Sequence, residues 1–155
     1  MSSARGRANH ELYLARIVLA AWREALAREA VPATILAQAF EDGVRDHLTA
    51  SYGWFLLEIS RVEPLPDYPP RCCAELPPQP EGKVFPGEVR EFQQQEQRGW
   101  LREMLQGRRT VLLPARQHDN LAVTTTDQVG PDRVEQWLQE LEAAFERMAD
   151  SLDEY

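Results

Sequence analysis

A chain of 155 residues with 43% hydrophobic content is long enough to bury a core without disulfides or a structural metal. No apolar run approaches the ~20 residues that a membrane-spanning helix needs. The 17 basic and 25 acidic residues leave a net charge of −8, which opposes the phosphate-neutralising contacts of nucleic-acid binding.

Met1–Asn9 is basic and rich in small residues, and Arg16, Arg23 and Glu24 interrupt the stretch that follows. It does not read as a secretory signal, so a cytoplasmic protein is expected. Residues 1–8 read as a frayed tail, with Asn9 as the cap of a first helix running to about Ala30. That helix carries Leu14, Ile17, Val18, Ala21, Trp22, Ala25 and Leu26 at helical spacing and stops before Pro32. A second, longer helix restarts at once and continues to about Val62 on the stripe Leu36, Phe40, Val44, Leu48, Tyr52, Phe55 and Ile59. Gly43 and Gly53 inside it each cost up to ~1 kcal/mol against alanine. They are expected to let a neighbouring helix approach.

Eight prolines fall between Glu63 and Pro86. Proline locks φ and lacks a donor, so this segment reads as an extended crossover. It holds the only two cysteines, Cys72 and Cys73, too few for a zinc site and expected to be reduced thiols. A third helix is predicted from Gly87 to Gly107, with the polar run Gln93–Gln97 in its middle. Thr110–Leu113 and Leu121–Thr126 are β-prone and allow a small hairpin. Gly130-Pro131 then opens a last helix. Its apolar seam, Val134, Leu138, Leu141, Phe145, Met148 and Leu152, alternates four- and three-residue steps and must be buried against other helices.

The pattern predicts one all-α domain over 1–155. It is an antiparallel four-helix bundle, with residues 63–86 as a long Pro-rich crossover and room for a hairpin before the last helix. Residues 1–28 hold five Arg and two Glu, and residues 131–155 hold two Arg and eight acids. Those fields are complementary if the first and last helices pack side by side.

No catalytic constellation is legible. Arg7, Val44 and Ala115 stand three residues before the three histidines, so the Glu-x-x-His of di-iron bundles is absent and no cofactor is expected. His47, Ser51 and Glu58 flank the apolar stripe of the second helix and need partners. Together with Trp22 and Trp54 they suggest a small pocket, with Tyr13 or Arg16 supplying a partner for Glu58. A structural hydrogen-bond network is the competing reading. Trp100 and Trp137 each sit one position off their helix seam and are candidates for a dimer interface.

Three stretches resemble a family of small helical proteins from gammaproteobacteria, pseudomonads included, known as a domain of unknown function. They are Leu12-Tyr13-Leu14-Ala15 with Ala21-Trp22, then His47-Leu48 through Leu56-Leu57-Glu58-Ile59. The third is Asn120-Leu121-Ala122-Val123 with Trp137 and the ending Ser151-Leu152-Asp153-Glu154-Tyr155. The Pro-rich segment departs from that pattern. The resemblance implies an all-helical bundle in a bacterial cytoplasm and carries no activity, cofactor or catalytic residue. The expected function is therefore a non-enzymatic interaction module, as a homodimer or with a helical protein partner. The alternative is a small-molecule or nucleotide pocket around His47 and Glu58, with hydrolysis left open.

Overall fold

The computed structural model describes residues 3–106 and 129–153, with side chains to residue 150. Its helices are α1 (Ala4–Arg28), α2 (Ala33–Ser60), α3 (Gly87–Arg98), α4 (Trp100–Leu105) and α5 (Pro131–Asp153). Among the described residues the protein is all-α, without strands. The hairpin expected over 110–126 lies outside them.

Helix α1 is capped six residues earlier than the sequence suggested. Ser3, not Asn9, is the cap, and its hydroxyl accepts from the Gly6 N–H at 3.0 Å. Ala4 and Ala8 are buried against α2, so this stretch is not a frayed tail. Small side chains here let the two backbones come close, and Ser51 Oγ of α2 donates to the Ala8 carbonyl at 2.7 Å. At its other end α1 closes through Glu29 in the left-handed region (φ 55°), whose N–H returns to the Leu26 carbonyl.

Helix α2 begins directly after Pro32 and ends at Arg61, also left-handed (φ 54°). Residues 51–57 are buried without interruption. A helix buried all round must be central, and α2 is covered from several sides. α1 runs antiparallel to it, as contacts from Arg5–Glu58 at one end to Trp22–Phe40 at the other require. On another side Phe92 of α3 meets Tyr52 and Phe55 edge-on, and Phe145 of α5 stacks on Phe55 with ring centroids 3.9 Å apart.

The Pro-rich crossover, 61–86, contains a single 3₁₀ turn at Cys73–Glu75. It crosses α2 at Gly53, where an added Cβ would lie 2.0 Å from the Pro70 carbonyl oxygen. The close approach expected at Gly53 is therefore real, but it is made by the crossover and not by a helix. Gly43 has nothing within 4 Å of its virtual Cβ and serves no such contact.

The third predicted helix is two helices. Gly99 takes an extended conformation between α3 and α4, and a side chain there would meet Gln95 Oε1 at 1.8 Å. α5 starts on Pro131 as predicted, and Val134, Leu138, Leu141, Phe145 and Met148 are all buried. It runs beside α1, pairing Arg16 with Glu142 and Arg23 with Asp132 and Glu135. The oppositely charged ends of the chain thus face each other, with surface pairs worth ~0–1 kcal/mol each.

Candidate functional site

His47, Ser51, Trp54 and Glu58 of α2 form a line along α1. His47 Nδ1 lies 2.7 Å from Glu11 Oε2, so the ring N–H donates to the carboxylate. One turn on, Ser51 donates to the Ala8 carbonyl. The Arg7 guanidinium sits over the Trp54 ring, 4.7 Å from its centroid. Glu58 pairs with Arg5 at 3.7 Å. Positions 47, 51, 54 and 58 step by four, three and four, so each turn of α2 presents one group to α1.

His47 and Glu58 are eleven residues apart, ~16 Å along the helix, and the structure does not bring them together. Trp22 is buried and stacks on Phe40, ring centroids 6.2 Å apart, away from Trp54. Arg16 turns to Glu142 of α5, and Tyr13 points outward, 57% exposed. Neither reaches Glu58, whose partner comes from the segment read as a tail. Trp137 is only 2% exposed and lies under the Arg45 guanidinium, 4.8 Å from its ring centroid. It belongs to the core and is not an interface anchor. Trp100 is half-buried against that core.

Sequence reasoning missed two clusters. The first joins the crossover to α2 and α3. Tyr52 Oη donates to Glu96 Oε2 at 2.7 Å, and the Cys73 N–H donates to the same oxygen at 2.9 Å. Cys73 Sγ is 3.4 Å from Tyr52 Oη. Burial, with the Glu96 carboxylate adding to it, pushes the Cys73 thiol up to about 12. Burial also raises Cys72, and it raises Tyr52 together with its Cys73 and Glu96 neighbours. Burial and the Glu96 carboxylate keep the Cys73 thiol protonated near neutral pH, so it is not an activated nucleophile. The cluster is a clamp. Glu96 gave no signal in the sequence because it sits in a run of glutamines.

The second cluster centres on Arg45, 7% exposed. Its Nη1 donates to the carbonyls of Glu103 (2.6 Å) and Met104 (2.9 Å) at the end of α4, and its Nη2 lies 3.3 Å from Glu41 Oε1. The Arg133 guanidinium bonds Glu103 from α5 and holds its carboxyl below the usual carboxylate range. These groups tie α2, α4 and α5 together.

Among the described residues, no three His, Cys, Asp or Glu side chains gather as metal ligands, and no helix is long and apolar enough to cross a membrane. An open cleft of about 320 Å³ lies between α1 and α5, floored by Leu19, Ala20 and Leu138 and flanked by Arg16, Arg23, Glu135 and Glu142. A second, of about 440 Å³, lies between Pro78, Lys83, Phe85 and Arg90. Neither includes His47 or Glu58.

The outward side of α1 adjoins the first cleft. His10, Tyr13, Ile17, Ala20, Glu24 and Ala27 are all exposed, and they alternate three- and four-residue steps as a helix-pairing seam does. Tyr13 and Ile17, one turn apart, are 57% and 49% exposed. The inward seam of the same helix, Ala8, Leu12, Ala15, Leu19 and Trp22, is buried.

Residues 1–155 match a family described as of unknown function, DUF6586. The chain belongs to that family, as the three resembling stretches led one to expect. No curated protein and no solved structure matches it.

Proposed function

We propose that this member of DUF6586 is a non-enzymatic interaction module working in the cytoplasm. In this reading the fold is an antiparallel four-helix bundle with α3 and α4 as one broken member, and its contact surface is the outward seam of α1. The observation that carries the reading is the pair Tyr13 and Ile17, exposed on one helix face and continued by Ala20 and Ala21. Large apolar side chains grouped on a surface mark contact sites more often than scattered ones do. Free Cys72 and Cys73 fit a reducing compartment.

His47, Ser51, Trp54 and Glu58 of α2 support this reading over a ligand pocket, because each already has a partner on α1. The test is a photo-crosslinking residue placed at Ile17, with a control at exposed Arg102 on α4. A discrete covalent adduct from position 17 and none from 102 is the expected result. Absence of any adduct from position 17, in cells and at high protein concentration, rejects the reading.

A further inference from the structure

We infer that the α1 seam pairs with the same seam of a second copy of this chain, the two helices running antiparallel. This rests on the reading of α1 as the contact face. The seam is uneven in size and in polarity. Its N-terminal half holds bulky Tyr13 and Ile17 with His10. Its C-terminal half holds Ala20, Glu24 and Ala27. Antiparallel pairing about a two-fold axis between residues 17 and 20 sets Ile17 of each copy on Ala20 of the other. It also sets each Tyr13 hydroxyl at the level of a Glu24 carboxylate, a donor to an acceptor, and each His10 over the small Ala27.

Parallel pairing instead opposes Glu24 to Glu24 and Tyr13 to Tyr13, and it leaves Ala20 facing Ala20 across a gap. Large-on-small layering and opposite polarity therefore both select the antiparallel arrangement. The flanks permit it. Arg16 and Arg23 border the seam, and both are engaged by acids of their own α5, so they do not meet across the axis as bare like charges. The cleft floored by Leu19, Ala20 and Leu138 opens beside Ala20, where the partner's Ile17 arrives.

His10 to Ala27 spans ~26 Å of helix. A strip of that length and one helix wide is at the small end of protein interfaces, so the dimer is weak and concentration-dependent.

The test is light scattering across a concentration series, with variants that exchange the large and small positions. The native chain should rise from 17.8 kDa toward twice that mass. Ile17→Ala sets alanine on alanine, and Ala20→Ile sets isoleucine on isoleucine. Each should weaken the dimer about a hundredfold, because the two-fold axis repeats the mismatch at two sites, each worth about tenfold. The double variant Ile17→Ala/Ala20→Ile restores the layering and should recover the native equilibrium, which an unrelated partner surface has no reason to do. Both positions are exposed, and thermal melts establish that the variants fold. A dimer indifferent to all three changes overturns the inference, because another face then holds it. A monomer at every concentration also overturns it. In that case adducts from position 17 to a different polypeptide leave the contact-face reading standing, and no adducts remove both.

Discussion

Replacing Gly53 and Gly43 by alanine, one at a time, should move stability in opposite directions although both lie inside α2. Helix propensity alone favours alanine at either site by up to ~1 kcal/mol. At Gly43 nothing stands within 4 Å of the new methyl group, so that gain is realised. For a domain of this size it corresponds to a rise of about 2–4 °C in Tm. At Gly53 the methyl would fall 2.0 Å from the Pro70 carbonyl oxygen and 3.0 Å from Pro69 Cβ. The obstacle is backbone flanked by two rings of fixed φ, which yields less readily than the end of a flexible side chain.

Overpacking typically costs ~1–3 kcal/mol, and a rigid obstacle places Gly53→Ala near the upper end. After the propensity gain the net loss is ~2 kcal/mol, a fall of about 4–8 °C. Lifting the crossover also strains the Cys73–Glu96 bonds three residues on, so Cys73 should react faster with a thiol reagent. Calorimetry and a thiol-labelling time course read the two effects. If Gly53→Ala melts above the native protein, as Gly43→Ala should, the crossover does not rest on α2 at this point.

Three further outcomes follow from the packing. Deleting residues 1–8 removes the Arg7–Trp54 contact, the Ala8 carbonyl that Ser51 bonds, and Arg5 beside Glu58. It should cost ~2–3 kcal/mol in urea denaturation, where loss of a frayed tail would cost nothing. Arg45→Met strips two carbonyls of α4 of their donor and withdraws the cation from Glu41 in a buried site. The expected loss is ~3–5 kcal/mol, and adding Glu41→Leu should recover part of it. The Cys73 thiol is raised from an ordinary 9.0 to about 12 in the folded chain, so the unfolded chain loses this proton first. Its contribution to stability is then complete below pH 9 and falls away as pH climbs toward 12. Urea midpoints measured from pH 7 to 10.5 should decline, and less so in Cys73→Ala.

The helical elements were legible where periodicity and punctuation agreed. The α5 seam, the Pro131 start, the stop before Pro32 and the unhelical character of 63–86 follow from apolar spacing and from what proline forbids. The opposite charges at the chain's two ends were compatible with α1 and α5 lying together, and the ion pairs of Arg16 and Arg23 with α5 met that condition. Readings that needed a partner's identity went astray. Ala4 and Ala8 carry little hydrophobic weight, so nothing local distinguishes a tail from a helix whose small residues fit a neighbour. Gly99 breaks a helix that Gly53 does not, and both glycines look alike in sequence.

His47 and Glu58 shared a helix and a chemistry that suggested one site, yet each had a separate neighbour on α1. Local propensity and side-chain period are properties of the chain itself, and they determined which segments became helices and which faces sought burial. Which groups satisfy a buried polar atom depends on residues distant in sequence. Only the packed structure could decide that His47 bonds Glu11, that Cys73 is clamped by Glu96, and that the outward side of α1 is left uncovered by the other described residues.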